Sequence, residues 1–385
     1  MKILYDHQAF VMQRYGGVSR CFVELYAHLP QGVKAKFSLR ESDNVYCSEQ
    51  GIGHSIDYDY YHFIFPFHWP AKGRLFHLYN RVIGRDGKYQ DKWEYNRKES
   101  IRLLKKGNFD VFHPTFFDDY FLPYLNGKPF VLTIHDMIPE LYPQFFPEDD
   151  FQIRMKRKLA PMASAIVAVS ETTKRDVIKI LGVPEHKVHV VYHGCSFPKV
   201  SGVTAPYQYP YILYVGARWN YKNFKAFVRS IVPLLEKYKN LHVVCTGSPF
   251  DDGEKAFLGG LGVEKRFVQR WVKDDAELYS LYHYAVCFVY PSEYEGFGIP
   301  ILEAYKADCP VLLNRTSCFP EIAQDAALYF KMESEKSDLS EQVERVLLMT
   351  EEERSTLLSK QRVRLEAFSW ERSAKELVKI YESVL

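Results

Sequence analysis

Two glutamates in the run EYEGFGIPILE, residues 293 to 303, have a spacing that could serve ligand binding. Glu295 and Glu303 are separated by seven residues, which include Gly296 and Gly298. Glycines allow close backbone approaches that a Cβ would obstruct, so the amides of this turn can face ligand oxygens. The proline that follows favours a helix start, and a helix N-terminus stabilises negative ligand groups. We therefore expect both carboxylates to face one crevice.

The longer run VYPSEYEGFGIPILEA, residues 289 to 304, resembles the Glu-x7-Glu signature of the family 4 retaining glycosyltransferases, also called glycosyltransferase group 1. Members of that family have two facing Rossmann-like domains, the GT-B architecture, with the donor site in the interdomain cleft. The resemblance implies that Glu295 holds hydroxyls of the transferred hexose and that Glu303 holds those of the nucleotide ribose. The alternative is an ordinary strand, turn and helix that carries two solvated glutamates.

Paired glycines open a second candidate segment, RYGGVSR at residues 14 to 20, directly after the first strand and its loop. At a helix start such glycines let backbone amides reach a phosphate. The segment resembles the Gly-Gly loop of the same family, which implies that Gly16 and Gly17 face the donor diphosphate and the acceptor. A plain loop is the alternative interpretation.

Two cations follow a strand in YVGARWNYKNF, residues 214 to 224. Arg218 and Lys222 are four positions apart, and a diphosphate leaving group needs such partners. Arginine binds phosphate oxygens through two N–H groups, while lysine offers a compact point charge. The segment resembles the family's Arg and Lys-Asn pattern, which implies that both cations contact the donor phosphates. A solvated basic pair is the alternative.

A histidine ends the buried strand in VLTIHDMIPELYP, residues 131 to 143. In open α/β sheets the carboxyl ends of strands are where ligands bind. His135 resembles the family's first-domain histidine, which implies contact with the transferred sugar near the reacting centre. We interpret His113, at the end of another strand, and Ser170, a predicted helix cap, as structural.

The resemblance also implies a base-binding segment and a set of backbone amides around the donor. These residues are Trp271, Val272, Gly296, Phe297, Gly298 and Ile299. We expect neither a cofactor nor a metal, because Arg218 and Lys222 can neutralise the diphosphate in place of a divalent ion. The leaving phosphate is expected to take the acceptor proton, with retention of configuration.

Strands and helices alternate twice along the chain, which predicts an α/β protein with two Rossmann-like domains. We predict strands and helices in each half. The predicted strands are 2–6, 35–40, 110–113, 130–134, 165–169, 188–192, 211–216, 241–247, 266–270, 285–290, 310–314 and 327–330, and the main helices are 17–29, 171–181, 223–238, 275–283 and 300–306. Residues 1–197 form the first domain, 198–210 the linker and 211–368 the second domain. The resemblance implies that a last helix, 369–385, crosses back to the first domain.

Composition excludes several classes of protein. The 50 Lys and Arg residues nearly balance 48 Asp and Glu, so nothing indicates a nucleic-acid partner. Seven scattered cysteines without a Cys-x-x-Cys pair predict a reducing compartment rather than a disulfide framework. The chain opens without a secretory segment, and no apolar run approaches the roughly 18 residues of a membrane span. We expect a cytoplasmic protein.

The sequence also bears on the identity of the donor and of the acceptor. HDMIP together with GFGIPILEA looks most like the mannosyltransferases of surface polysaccharide assembly, which implies GDP-mannose, with a UDP-hexose as the alternative. The acceptor would be a glycan or a lipid-linked saccharide. The aromatic and basic residues between 58 and 98 suit either an insertion that packs inward or a peripheral contact with a membrane.

Three other functions share the two-domain architecture. A sugar phosphorylase should carry a lysine-linked cofactor site, which we do not find in the sequence. A nucleotide-sugar epimerase would act without an acceptor. A non-catalytic sugar-nucleotide-binding module would have lost its site, whereas Glu295, Glu303, Arg218, Lys222 and His135 are all present.

Overall fold

The computed structural model of the chain describes residues 1–55, 69–82, 92–333 and 336–385. The predicted aromatic and basic segment lies only partly within these ranges, because residues 58–68 and 83–91 fall outside them.

Parallel strands form the frame of both halves of the chain. The strands of the first half are β1 (Lys2–Tyr5), β2 (Lys34–Phe37), β3 (Glu41–Ser42), β4 (His54–Ser55), β5 (Val111–His113), β6 (Val131–Ile134), β7 (Ala165–Ala168) and β8 (Val188–Val190). Those of the second half are β9 (Tyr211–Tyr214), β10 (His242–Thr246), β11 (Phe267–Arg270), β12 (Cys287–Tyr290), β13 (Val311–Asn314), β14 (Leu328–Phe330), β15 (Met332–Glu333) and β16 (Lys336–Ser337).

Helices connect these strands, as crossover connections between parallel strands require. Those of the first half are α1 (Gln8–Met12), α2 (Gly17–Ala27), α3 (Val45–Glu49), α4 (Lys72–Val82), α5 (Lys92–Lys106), α6 (Ile138–Leu141), α7 (Phe151–Met162) and α8 (Glu171–Leu181). Those of the second half are α9 (Phe224–Lys237), α10 (Asp252–Gly260), α11 (Asp275–His283), α12 (Ile299–Lys306), α13 (Phe319–Ala323), α14 (Leu339–Leu347), α15 (Glu351–Leu365) and α16 (Trp370–Ser383).

The main sheet of the second domain has the order β11-β10-β9-β12-β13-β14, with every pair parallel. In the first domain the sheets β2-β1-β5 and β6-β7-β8 meet at a parallel bridge between Phe112 and Phe130. This arrangement confirms the predicted fold class, two Rossmann-like α/β domains.

Several strands have continuous apolar sequences because all of their residues are buried. Every residue of β7, β9, β12 and β13 is buried, as expected where helices cover both faces of a parallel sheet. The strand order of the second sheet reverses between β9 and β12, which is the position where open α/β sheets leave a crevice for ligands.

The last helix, α16, packs against the first domain although it follows the second in sequence. Its Tyr381 hydroxyl lies 2.6 Å from His113 Nδ1 and 2.9 Å from the Tyr5 hydroxyl, all buried. His113 Nε2 also lies 2.9 Å from the Thr133 hydroxyl, so both of its ring nitrogens have partners inside the core. The structural interpretation of His113 is therefore confirmed, as is that of Ser170, whose side chain accepts from Thr173 N at the start of α8.

The seven cysteines all lie within the described residues. All seven cysteines are free, and each is buried except Cys195, which is partly exposed. Within the ranges that the structure covers, no helix has the length and apolar character that a bilayer span requires.

Candidate functional site

A cavity of about 480 Å³ lies where the two domains face each other. Both domains line it with residues from the predicted motifs. These include Gly16, Gly17 and His135 of the first domain and Glu295, Gly298 and Glu303 of the second. The Gly-Gly, histidine and Glu-x7-Glu motifs, which are far apart in sequence, thus meet at one site, whereas Arg218 and Lys222 do not line this cavity.

Gly296 lets the second-domain loop approach the backbone of the first domain. A Cβ at this position would lie 1.9 Å from the carbonyl oxygen of His135, a distance that no side chain tolerates. The carbonyl of Gly296 also accepts a hydrogen bond from Thr173 Oγ1, at 3.3 Å. The need for glycine here is therefore steric and comes from the contact between domains.

Further polar contacts join the domains close to this cavity. The Glu321 carboxylate accepts from the backbone N–H of Glu171 at 2.7 Å and of Thr172 at 3.0 Å, which satisfies free amides at the start of α8. The Tyr294 hydroxyl donates to the carboxylate of Asp176. Tyr294, adjacent to Glu295, thus fixes the second-domain loop against the first domain.

Lys222 and Glu295 form an ion pair across the sheet's crevice. Lys222 Nζ lies 2.6 Å from Glu295 Oε1, and both side chains are largely buried. The pair forms because β9 and β12 are hydrogen-bonded neighbours, so the loops that leave their carboxyl ends meet. Glu295 is 8% exposed, so it lines the cavity from a largely buried position.

Arg218 is held by other groups of the second domain. Its Nε lies 2.8 Å from Glu254 Oε1, and its Nη2 donates to the Ser248 carbonyl at 2.8 Å. The guanidinium also stacks 4.7 Å from the ring centroid of Phe250. The two cations of the predicted pair therefore have separate carboxylate partners, and Arg218 must exchange contacts before it can bind a phosphate.

Glu303 is the most perturbed carboxylate of the site. It lies on α12, is 9% exposed, and accepts from the Tyr282 hydroxyl at 3.2 Å. Burial raises the pKa of Glu303 from 4.5 to about 7, even though the nearby Arg20 charge and the Tyr282 hydrogen bond lower it. Near neutral pH this side chain is therefore divided between its acid and carboxylate forms.

The raised pKa predicts how stability changes with pH when Glu303 is replaced by glutamine. Between pH 4.5 and 7 the folded chain binds a proton that the unfolded chain has released, so folding stability falls as pH rises through this interval. Glu303→Gln removes that loss. We expect the melting temperature of the variant, relative to the parent, to rise between about pH 5 and about pH 8. A relative melting temperature that stays constant with pH would contradict the assignment.

His135 presents an uncharged ring to the cavity. Burial lowers the pKa of His135 to about 4, so the imidazole is neutral at pH 7. Its Nε2 is buried and has no hydrogen-bond partner among the residues that the structure describes. The ring stacks on His193, with centroids 5.8 Å apart.

The predicted base-binding residues separate in the structure. Val272 lines a second cavity, of about 620 Å³, which borders the first through Tyr15, Arg20 and Tyr46. The side chain of Trp271 is 65% exposed, and it lines neither cavity. The role of Trp271 in base binding stays a prediction.

Two residues of the site were not singled out from the sequence. Arg20, on α2, lines both cavities, and its position three residues after Gly17 was the available signal. His193 follows β8 and lines the first cavity, but a histidine after a short strand is a weak signal by itself. Both become visible only when the domains are brought together.

Among relatives with curated names, the chain is 28% identical over 235 residues to the O-antigen chain mannosyltransferase RfbU of Salmonella typhimurium, which covers 61% of this chain and 64% of the relative. It is 26% identical over 283 residues to the O-antigen chain mannosyltransferase B of Escherichia coli, covering 69% of this chain and 72% of the relative. The chain thus spans slightly less than two thirds of the first relative.

Solved structures with the same fold cover the whole chain. The HepE protein of Anabaena, in a complex with UDP and glucose, matches with a TM-score of 0.69 at 16% identity and covers all of both chains. A glycosyltransferase from Rickettsia africae matches with a TM-score of 0.68 at 16% identity, over 100% of this chain and 98% of that one. At this identity the likeness concerns the fold alone.

Two family descriptions divide the chain at the predicted linker. Residues 15–196 match Glycosyltransferase Family 4, and residues 201–362 match Glycosyl transferases group 1. Together the matches cover most of the chain and every motif described above. With its two facing Rossmann-like domains, the chain belongs to the family 4 glycosyltransferases of GT-B architecture.

Proposed function

We propose that this protein is a retaining hexosyltransferase that moves mannose from GDP-mannose to a glycan or a lipid-linked saccharide during the synthesis of a surface polysaccharide. The observation that carries the proposal is the interdomain cavity to which Glu295, Glu303 and His135 all contribute, with Lys222 bound to Glu295. Such a cavity offers acceptors for sugar hydroxyls beside a cation for a diphosphate.

In the proposed reaction the bond between the sugar's anomeric carbon and the diphosphate oxygen breaks, and a bond to the acceptor oxygen forms on the same face. The acceptor hydroxyl loses its proton to the departing phosphate, so no protein carboxylate has to act as the base. Positive charge builds on the sugar while negative charge builds on the diphosphate. Preorganised groups that match this charge development supply most of the acceleration.

We assign the individual residues the roles that the family resemblance implies. Lys222, with Arg218 after it exchanges contacts, stabilises the diphosphate together with the amides near Gly17 and Gly298. Glu295 accepts from hydroxyls of the transferred hexose, and Lys222 holds its carboxylate in place at 2.6 Å.

In the proposed reaction, Glu303 binds the ribose and His135 binds the transferred hexose. Glu303 accepts from the ribose hydroxyls. Neutral His135 offers its unpartnered Nε2 to the hexose, which fits an uncharged hydrogen-bond role because burial lowers the pKa of this ring to about 4.

Mannose is supported by the names of two relatives, which are O-antigen chain mannosyltransferases. A UDP-hexose remains the competing donor, and the HepE structures hold UDP or UDP-glucose. The second cavity, beside Val272, has room for either base. The choice of donor is therefore a matter for a direct binding comparison.

The proposed location is the cytoplasmic side of a membrane, with peripheral contact. Helix α4 supports this location, because Leu78 and Val82 are 55% and 77% exposed on a helix that also carries the exposed Arg74. Exposed apolar side chains beside basic ones are typical of helices that lie in a membrane interface.

The donor class is tested by a thermal-shift panel of GDP, UDP, ADP and TDP, followed by calorimetry on those that bind. We expect GDP to bind at least tenfold more tightly than UDP, which corresponds to about 1.4 kcal/mol. Preference for UDP would replace the donor in the proposal. Failure of all four nucleotides to bind would contradict a nucleotide-sugar site.

A transfer assay with GDP-mannose and a glycan acceptor, run in excess EDTA, tests turnover and metal independence together. We expect an α-linked product and a rate that EDTA does not change, because two cations serve the diphosphate. The acidic triplet Asp57-Tyr58-Asp59, outside the described residues, is the sequence feature that a metal requirement would implicate. Donor binding without transfer to any acceptor would favour a non-catalytic binding module.

A further inference from the structure

Three charged side chains meet at the border between the two cavities. Arg20 comes from α2 of the first domain, whereas Asp275 and Glu303 come from α11 and α12 of the second. Arg20 Nη2 lies 3.7 Å from Asp275 Oδ2, and Arg20 lines the first cavity together with Glu303 and the second cavity together with Asp275. This contact therefore joins the domains at the position where the proposed donor's ribose would lie.

Arg20 is held in a defined place. Its side chain is 17% exposed, and its guanidinium lies 5.6 Å from the ring centroid of Tyr46. Tyr46 belongs to α3, which packs against α2, so residues of the first domain hold the Arg20 side chain in place. An arginine in this setting acts as a stable positive charge and not as a freely solvated side chain.

A buried carboxylate needs such a charge if it is to stay ionised. Desolvation favours the neutral acid, and a nearby cation favours the carboxylate. The carboxylate is the stronger hydrogen-bond acceptor, because charge-assisted bonds are roughly twice as strong as neutral ones. Whatever controls the ionisation of Glu303 also controls how well it holds hydroxyl groups.

We propose that Arg20 is a positioning residue that acts across the domain interface: its charge increases the share of Glu303 that is in the carboxylate form, which binds the ribose of the donor. The inference rests on the proposed function, since it assigns the ribose to Glu303. Because Arg20 and Glu303 belong to different domains, donor affinity becomes coupled to the facing arrangement of the two domains.

Among the residues that the structure describes, Arg20 is the one cation whose charge acts on Glu303. From α11 it faces Asp275, which opposes ionisation, and the Tyr282 hydroxyl, which assists it. Tyr46 of α3 and Cys195, in the segment after β8, also face this region, and Lys306 lies one turn further along α12. Burial raises the pKa of Tyr46 to above its usual value and that of Cys195 to about 11, so both are neutral near pH 7.

The test is the pH dependence of GDP-mannose binding, measured by calorimetry between about pH 6 and about pH 9. GDP-mannose is the probe because its diphosphate carries no ionisation near neutral pH. For Arg20→Gln we expect binding about fivefold weaker than the parent near pH 7 and equal to it above about pH 9, as for an upward shift of one pKa unit. Asp275→Asn should shift the profile in the opposite direction.

Arg20→Lys, which keeps the charge, should restore most of the parent profile, and thermal melting checks the folding of each variant. Equal weakening of Arg20→Gln at every pH would mean direct contact with the donor and would overturn the inference, as would an unchanged profile. Should Arg20→Gln fail to fold, an Asp275→Asn profile that does not move would overturn it. If the parent binds neither GDP-mannose nor a UDP-hexose, the proposed function itself fails.

Discussion

Glu295→Ala is expected to lower kcat by about 100-fold or more while leaving the donor KM nearly unchanged. Glu295 is assigned to the transferred hexose, whose shape and charge change most on the way to the transition state. Interactions that strengthen in the transition state appear in kcat, whereas interactions that are equal in both states appear in KM. Steady-state kinetics with GDP-mannose measures the effect.

The ion pair with Lys222 leads to a second expectation, which concerns the GDP affinity of Glu295→Ala. Removal of Glu295 leaves Lys222 Nζ without its partner at 2.6 Å, and a lysine free of its carboxylate can still bind a diphosphate. We therefore expect GDP affinity of Glu295→Ala to equal or exceed that of the parent. Parallel losses of affinity and kcat would point instead to collapse of the site.

Glu303→Ala is the matched comparison within the same motif. Its carboxylate is assigned to the ribose, which does not change during the reaction, so the variant should raise the donor KM and largely spare kcat. Circular dichroism serves as the folding control for both variants. A normal kcat in Glu295→Ala, or a loss of fold in either variant, would contradict this division of roles.

The motifs were readable from the sequence because each lies within one strand-turn-helix unit. The glycines, prolines and apolar runs predicted where β9, β12 and the following helices begin, and parallel strands bring their carboxyl ends to the same edge. This local reasoning explains how Lys222 and Glu295, 73 residues apart, come to share an ion pair.

Partner choice within a domain was harder to predict. The sequence placed Arg218 beside Lys222, but the structure pairs Arg218 with Glu254, at the start of α10. The sequence around Arg218 does not predict this partner, because Glu254 is brought to the site by the loop that follows β10. Trp271 likewise follows a strand as predicted, yet its side chain is 65% exposed and lines neither cavity.

The contacts between the two domains could not be predicted from the sequence. Arg20 and His193 belong to the site only because the domains face each other, and Glu321 caps a helix of the other domain. Gly296 was assigned to close approach of a ligand, but its closest neighbour is the His135 carbonyl of the facing domain. A glycine in the sequence indicates that another group packs closely against the backbone at that position. Only the folded structure shows which group it is.

Gly296→Ala is therefore expected to lower kcat/KM by about 100-fold or more, because misplacement of reacting groups by about 1 Å has effects of that size. The added Cβ would lie 1.9 Å from the His135 carbonyl oxygen and 3.0 Å from its carbonyl carbon. Both are backbone atoms, which cannot rotate aside. The domains must separate locally, which moves Glu295 away from His135.

The loss should come from the arrangement of the domains and not from unfolding. Each domain buries its own apolar clusters, such as the one around Tyr5 and Val111 and the one around Phe227 and Val243. We expect Gly296→Ala to keep its circular dichroism spectrum but to show a larger radius of gyration in X-ray scattering. Gly260→Ala is the matched control, because a Cβ there meets none of the described residues within 4 Å outside the backbone of its own helix, and it should behave as the parent does. Full activity in Gly296→Ala would mean that the domains do not face each other this closely during turnover.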